Sequence, residues 1–232
     1  MSAIKTQVEM SIQGKKYLSV EQVKTELKNK LDREIKDRTI KQYLYNLKKV
    51  GKLFDAGRGW YSTIEQEFKL DKFPVAPLVE KMVEKYPELE FCVWSTEQIA
   101  GYYHHLPTKF STFLYIDTNF ISSIADYFRG GEYRVLKNPD PQEMTKNFFI
   151  EENPIVIRPQ ITEEPRDGHY ATIQKIMVDL CVEKGSPAMD EGEYVRIFEN
   201  LVMDHRINVA KSLRYASRRS CKEEIQNLLM AK

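Results

Sequence analysis

Residues 39–61, TIKQYLYNLKKVGKLFDAGRGWY, decide how the beginning of this chain folds. Apolar side chains recur at spacings of three and four in the first half of the stretch, which predicts a helix with one buried face. They are Ile40, Leu44, Leu47 and Val50. Gly51 follows directly, as expected where a helix ends. Residues 52–54 and 60–61 then predict two short strands around the glycine-rich turn at 55–59.

Two further helices are predicted before this stretch. Ser19, with Gln22 three residues later, forms a capping-box pattern that begins the second helix, and Asp37 is the predicted cap of the third. The apolar stripes of the first two helices are Ile4, Val8 and Ile12, and Val20, Val23, Leu27 and Leu31. Three helices and a terminal hairpin predict a winged helix-turn-helix domain over residues 1–64.

The face of the third helix that points away from its apolar stripe is basic and polar. It combines cations that neutralise phosphates, an amide that can read a base edge and an aromatic hydroxyl, and the turn of the hairpin adds an arginine. The predicted DNA-binding residues are Arg38, Lys41, Gln42, Tyr45, Lys48, Lys49, Lys52 and Arg58. Gln42 and Tyr45 favour sequence-specific binding. The alternative is a small three-helix domain whose basic surface is only solvated.

Charge is distributed unevenly along the 232 residues, although the formal net charge is only +1. Residues 1–64 hold 14 Lys and Arg against 7 Asp and Glu, and residues 65–170 hold 11 against 18. Residues 171–232 are nearly balanced, with 10 against 9. A basic beginning joined to an acidic middle indicates a nucleic-acid-binding domain on a body with another role. We expect the acidic body to point away from a bound duplex.

The body, residues 65–232, is predicted to be mixed α/β over 74–170 and mostly helical over 171–232. Short apolar segments alternate with helical stripes in the mixed part, so the whole chain is expected to be α+β. The predicted strands are residues 91–94, 112–117, 133–136 and 155–157. Pro77 at the beginning of one helix and Ser95 or Thr96 before another fit helix starts.

Patterns that would indicate catalysis or a bound cofactor are missing from the sequence. His104 and His105 are adjacent, so one helix cannot present both to a single metal ion. The three cysteines form no C-x-x-C pair, and there is no P-loop, G-x-G-x-x-G or G-x-S-x-G motif. We therefore expect no enzyme activity, no metal and no cofactor.

The sequence also allows a prediction of the cellular compartment. No apolar run approaches the roughly 20 residues that a membrane span requires. The first ten residues, MSAIKTQVEM, lack the apolar region of a secretory signal. Three cysteines are too few for a disulfide framework. We expect a soluble cytoplasmic protein with reduced cysteines and no membrane partner.

A cluster of arginines near the end of the chain has two interpretations. Arg214, Arg218 and Arg219 flank Tyr215 in the last helical region. They could bind a phosphate or an acidic partner, and so form a surface for partner binding. Alternatively they pair with neighbouring glutamates, as surface arginines commonly do.

The order of these segments resembles the AbiEi family, the antitoxin half of type IV toxin–antitoxin systems. The segments that carry the resemblance are residues 39–51 and 57–61, residues 93–96, 106–107 and 113–117, and residues 171–180, 208 and 213–219. The resemblance implies a first domain that represses its own operon by binding inverted repeats in promoter DNA. It also implies that the remaining part opposes a nucleotidyltransferase-like toxin, AbiEii, with or without a stable complex.

Two other functions remain open from the sequence. One is a stand-alone winged-helix transcription regulator whose body senses a ligand, with Trp94, Tyr102 and Tyr103 as pocket walls. The other is a nuclease or defence effector that finds DNA through its first domain, with Glu90 and Asp117 near predicted strands.

Overall fold

The computed structural model of the chain describes residues 3–107, 109–131, 133–148, 154–184 and 190–230. The two residues at each end of the chain, which belong to the predicted domains, lie outside the described residues. The fold is α+β, as predicted, with a small three-stranded sheet near the beginning and a six-stranded sheet in the body.

The first 62 residues contain the three predicted helices and the predicted hairpin. The three-stranded sheet is antiparallel, with β3 between β1 and β2. Strand β1 was not predicted, because it is only three residues long and ends on the Ser19 that caps the next helix. The elements are α1 Ala3–Ile12, β1 Tyr17–Ser19, α2 Val20–Leu31, α3 Asp37–Lys49, β2 Phe54–Asp55 and β3 Trp60–Ser62.

The starts of α2 and α3 differ in how they are capped. The Ser19 hydroxyl accepts a hydrogen bond from the Gln22 amide at 3.0 Å, and the Gln22 side chain accepts one from the Ser19 amide at 2.7 Å, which confirms the capping box. The prediction that Asp37 caps α3 is wrong, because Asp37 is the first residue of the helix and Lys36 occupies the cap. The Asp37 carboxylate instead lies 2.8 Å from Lys24 Nζ and joins α3 to α2.

The end of α3 explains a second departure from the prediction. Gly51 has a φ of +71°, its amide donates to the Lys48 carbonyl at 3.0 Å, and the Lys52 amide donates to the Leu47 carbonyl at 3.0 Å. These two bonds form a Schellman motif, which ends the helix at Lys49, one residue before Val50. Val50, predicted to be core, is 67% exposed because it occupies the cap and no longer follows the buried stripe.

All four predicted strands of the body belong to one sheet. Its order is β6-β7-β5-β4-β9-β8, and β7 runs parallel to both β5 and β6. The strands are β4 Phe91–Ser95, β5 Thr112–Ile116, β6 Val135–Lys137, β7 Ile155–Pro159, β8 Arg166–Asp167 and β9 Tyr170–Ala171. Helix α4 Ala76–Lys85 precedes β4, and the helices between the strands are α5 Ile121–Arg129 and α6 Pro141–Phe148, together with a 3-10 helix at Thr96–Tyr102.

Both faces of this sheet are buried, which is why β4 and β5 are apolar at consecutive positions rather than at alternate ones. On one face, Val93 and Leu114 pack in a core with α4 and α5. On the other face, Trp94 and Phe113 pack in a core with α6 and the helical end of the chain. The helices of that end are α7 Ile173–Glu183, α8 Glu191–Asp204, α9 Val209–Arg218 and α10 Lys222–Met230.

The sheet of the first 62 residues packs directly on the segment between α8 and α9. Tyr17 and Ala56 belong to the same buried core as α7 to α10. The Tyr17 hydroxyl donates to the His205 carbonyl at 2.5 Å and accepts from the Ile207 amide at 3.0 Å. The Val209 amide donates to the Ala56 carbonyl at 2.8 Å. We call this contact between β1, the hairpin and residues 205–210 the seam.

Tyr17 gives the seam a testable pH dependence. Burial raises the pKa of its hydroxyl to about 12, above the value of about 10 expected in the unfolded chain. The stabilising contribution is therefore complete below about pH 10 and is lost as the pH rises toward 12. Near neutral pH, Tyr17→Phe should lower the free energy of unfolding by about 1–3 kcal/mol, because the Ile207 amide loses its acceptor.

The destabilisation caused by Tyr17→Phe should be smaller at alkaline pH. Urea unfolding at about pH 8 and about pH 11 should show the difference between wild type and Tyr17→Phe falling by about 1.4 kcal/mol. Other buried tyrosines, such as Tyr115 and Tyr215, are common to both proteins and cancel in the comparison. An equal difference at the two pH values would contradict this assignment.

Candidate nucleic-acid interface

The exposed face of α3 is opposite the face that fills the core. Ile40, Leu44 and Leu47 are buried against α1 and α2. At 3.6 residues per turn, the polar residues between them must point outward. The exposed side chains on this side are Arg38, Lys41, Gln42, Tyr45, Asn46 and Lys49. Five of the eight predicted DNA-binding residues therefore lie on the outer surface of one helix.

The polar groups on this face are ordered by contacts along the helix. Gln42 Nε2 donates to Asn46 Oδ1 at 3.1 Å, and Lys49 Nζ lies 5.1 Å from the centre of the Tyr45 ring. Tyr45 is 47% exposed. Asn46 was not among the predicted residues, although its position four residues after Gln42 could have identified it. Two neighbouring amides suit recognition of adenine, whose major-groove edge has one donor and one acceptor.

Lys48 and Lys52 lie apart from this group. Lys48 Nζ forms an ion pair with the Asp55 carboxylate of β2, and the hydrogen bond to Asp55 raises the pKa of Lys48. This ion pair holds α3 against the hairpin. Lys52 lines a separate groove of about 430 Å³ with Lys5 and Val50, between α1 and the end of α3.

Arg58 of the hairpin joins the α3 face across a groove of about 770 Å³. Lys41 and Tyr45 line this groove from α3, and Arg58 lines it from the turn. Lys222 and Gln226 of α10 form part of its far side. The structure thus brings three predicted residues together, and it places one helix of the body beside them.

The three C-terminal arginines do not share one exposed surface. Arg218 pairs with Glu163 at 2.7 Å and donates to the Thr162 hydroxyl at 3.0 Å. The Arg219 side chain is only 14% exposed, and its Nε lies 3.5 Å from a buried oxygen of Asp179. Arg214 is exposed on α9. Two of the three therefore have carboxylate partners within the chain, in line with the second interpretation given above.

The sequence reading missed a charged cluster inside the body. Lys175 is fully buried, and its Nζ lies 2.8 Å from Asp179, 2.9 Å from Glu164 and 2.9 Å from the Tyr215 hydroxyl. It also lies 3.4 Å from the centre of the Tyr115 ring. Burial alone would lower the pKa of Lys175, but Asp179 and its other neighbours raise it well above its usual value. The only signal in the sequence is a Lys and an Asp four residues apart within an apolar stripe.

The residues proposed for the two alternative functions have structural contacts of their own. Trp94 is fully buried and stacks on Phe113 at 4.4 Å, so it belongs to the core. Tyr102 packs against Phe68. Glu90 forms an ion pair with Arg166, and the Asp117 carboxylate accepts from the Asn119 amide at 2.8 Å.

The parts of the chain that the structure describes show neither a metal-binding cluster nor a membrane-spanning helix. They contain no group of three or more His, Cys, Asp or Glu side chains arranged to hold a metal ion. They also contain no helix that is long and apolar enough to span a membrane.

Comparison with known proteins identifies a family but no function. No curated protein matches the chain. The crystal structure of the RV2827C protein from Mycobacterium tuberculosis is similar at a TM-score of 0.30 and 11% identity, over 98% of this chain and 80% of that one. Similarity at this level supports no argument about function. A family model described as a family of unknown function, DUF6577, matches residues 39–232, from the first turn of α3 to the last residue. Because that match covers most of the sequence, the chain belongs to the DUF6577 family.

Proposed function

We propose that this protein is a DNA-binding antitoxin and autorepressor of a toxin–antitoxin operon, which acts in the cytoplasm by binding and not by catalysis. The outer face of α3 is the observation that supports the DNA-binding part of the proposal. There, Arg38, Lys41 and Lys49 surround the amides of Gln42 and Asn46, with every one of these side chains exposed. In this proposal the first domain is a winged helix-turn-helix, α3 enters the major groove, and Arg58 contacts the backbone or the minor groove.

The antitoxin part of the proposal rests on the resemblance to the AbiEi family. In that family the DNA target is a pair of inverted repeats in the promoter, and the opposed protein is a nucleotidyltransferase-like toxin. The body would then carry the antitoxic activity. Arg214 and Arg218 are the members of the arginine cluster that are exposed and could contact such a partner, and Arg218 also pairs with Glu163.

A gel-shift titration against the gene's own promoter tests the DNA-binding part. A scrambled duplex, two salt concentrations and a parallel lane with magnesium are the controls. We expect a promoter-selective shift that weakens at the higher salt concentration, because counterions are released when phosphates are neutralised, and no cleavage with magnesium. Equal shifts on both duplexes would contradict an operator-binding role. Co-expression with a neighbouring nucleotidyltransferase gene, with cell growth as the readout, then tests the antitoxin part.

Single substitutions should separate phosphate contacts from base contacts on α3. Lys41→Ala and Lys49→Ala should each weaken binding to promoter and scrambled DNA alike, and should reduce the slope of log affinity against log salt by about 1. Gln42→Ala should mainly reduce the preference for the promoter, by about 1–3 kcal/mol. Fluorescence anisotropy over a salt series measures both quantities.

Lys85→Ala provides a matched control for these variants. Lys85 is also an exposed helical lysine near an aromatic ring, but it lies on α4 beside Tyr127. We expect this variant to bind like the wild type. If Gln42→Ala lowered specific and non-specific binding equally, the assignment of Gln42 to base recognition would be wrong.

A second candidate is a winged-helix regulator with a ligand-sensing body. It is favoured by a cavity of about 390 Å³ in the body, which is within the size range of small-molecule sites. Promoter binding that changes when a small molecule is added, with no effect of the chain on a neighbouring toxin, would favour this function.

A further inference from the structure

The cavity of the body opens at the carboxyl ends of β6 and β7. Asn138 and Pro139 follow β6, while Arg158, Pro159 and Ile161 line the cavity from the end of β7 and beyond. Strands β5, β6 and β7 are parallel, and α5 and α6 cover opposite faces of the sheet. In open α/β sheets, small ligands bind in the crevice outside the carboxyl ends of such strands.

One wall of the cavity holds an arginine in a fixed orientation. Arg158 Nε and Nη2 donate to the two oxygens of Glu183 at 3.0 and 2.8 Å. Its Nη1 donates to the Pro139 carbonyl at 2.6 Å. Nη1 also donates to Asn138 Oδ1 at 3.4 Å. A guanidinium held through all three of its nitrogens presents its remaining surface in one orientation, as a binding site requires.

A second arginine reaches the same cavity from the end of α9. Arg219 has an Nε that is buried and without a hydrogen-bond partner among the described residues. Asp179 lies 3.5 Å away, beyond good hydrogen-bond geometry for this nitrogen, and is shared with Lys175. Asp179 faces the enclosed Nε side of the guanidinium, so a ligand in the cavity can contact Arg219 only through the part of its side chain that is exposed, which is 14%.

The charge and polarity of the wall select the class of ligand. Arg158, Arg219 and Lys184 line the cavity with the carboxylate of Glu183, while Glu224, which pairs with Lys184, and Asp179, which lies beside Arg219, are outside the lining. Apart from Asn138, the remaining lining is apolar and comes from Met144, Ile161, Val182 and the two prolines Pro139 and Pro159. Arginine binds carboxylate and phosphate groups preferentially, and apolar walls suit the rest of an organic molecule.

We propose that this cavity binds a small organic anion, with its phosphate or carboxylate group at Arg219 and an apolar or aromatic body against Met144, Ile161 and Val182. The site lies outside α3 and the hairpin, so the proposal does not depend on DNA binding. Binding would place the anionic group beside the three cations of the lining.

Isothermal titration calorimetry of the full chain with three probes at constant ionic strength tests this proposal. The probes are inorganic phosphate, phenyl phosphate and benzoate. We expect saturable binding of phenyl phosphate or benzoate, tighter than that of inorganic phosphate, because only the organic anions contact the apolar wall. Preference between these two identifies the anionic group. If none of the three binds saturably at millimolar concentration, the proposal is wrong.

Two variants and a control locate the bound anion. Arg219→Gln should weaken binding about tenfold or more, while Arg214→Gln, on the exposed face of the same helix, should leave it unchanged. Circular dichroism checks that each variant is folded. Ile161→Trp fills the cavity without removing a charge and should abolish binding even if Arg219→Gln does not fold. Binding that survives Ile161→Trp, or that is equally strong in a folded Arg219→Gln variant, would overturn the assignment.

Discussion

Gly57→Ala should be among the most destabilising single substitutions in this chain, with a loss of about 3 kcal/mol or more in the free energy of unfolding. Gly57 has a φ of +100° in the turn of the hairpin, where it meets the start of α9. A Cβ at this position would lie 2.3 Å from Asn208 Oδ1 and 2.7 Å from Ala210 Cβ. Neither neighbour can move freely, because Asn208 caps α9 through the Lys211 amide at 3.1 Å.

Gly59→Ala is the matched control for Gly57→Ala. Gly59 is in the same turn and has a φ of +78°, but a Cβ there meets nothing within 4 Å. Its substitution should cost only the backbone strain of about 1–2 kcal/mol. Urea unfolding of both variants, followed by circular dichroism, measures the difference. Similar losses for the two would show that strain in the turn, and not contact with α9, makes Gly57 sensitive.

Lys175→Met should also lower the free energy of unfolding strongly, by about 3–5 kcal/mol. Methionine keeps most of the volume of the side chain but removes the charge between Asp179 and Glu164, both of which are buried. Two carboxylates would then repel each other in the interior, with Arg219 beside Asp179. The control is Lys184→Met, whose ion pair with Glu224 is partly exposed and should contribute less than about 1 kcal/mol.

The pH dependence of Lys175→Met distinguishes a lost charge from a packing defect. Without the ammonium group, protonation of the buried carboxylates is favoured in the folded variant, because it removes their mutual repulsion. The variant should therefore recover stability as the pH falls and the carboxylates bind protons. Unfolding at about pH 8 and about pH 5 should show a smaller deficit at the lower pH. A deficit that is equal at both values would indicate that packing alone is responsible.

The sequence predicted those parts of the fold in which local pattern and tertiary packing agree. The stripe of Ile40, Leu44 and Leu47 repeats every three or four residues and needs no distant partner to be recognised. Strands β8 and β9, with two residues each, exist because β9 pairs with β4 far away in sequence. No local pattern encodes such a pairing.

The residues of the candidate sites also differ in whether a local sequence pattern could place them. Arg38, Lys41 and Gln42 could be assigned to one outer face from helical spacing alone. Arg219 could not be placed, because its direction depends on Asp179, which belongs to a different helix. Trp94 was expected to line a pocket, but its partner across the strands is Phe113, so it lies within the sheet core.

The seam would fix the position of a protein bound to the body relative to DNA bound at α3. Two domains joined by a loose tether meet at an effective concentration that depends on tether length. Here Tyr17, Ala56 and Gly57 lock the hairpin onto residues 205–210, so no such freedom separates α3 from the body. In the proposed function, a protein bound to the body would therefore be held at one fixed position relative to the duplex. The shapes of the DNA and of the partner protein would then decide whether both can be bound at once. Lengthening the polypeptide between β3 and α4 would not relieve a steric clash between them.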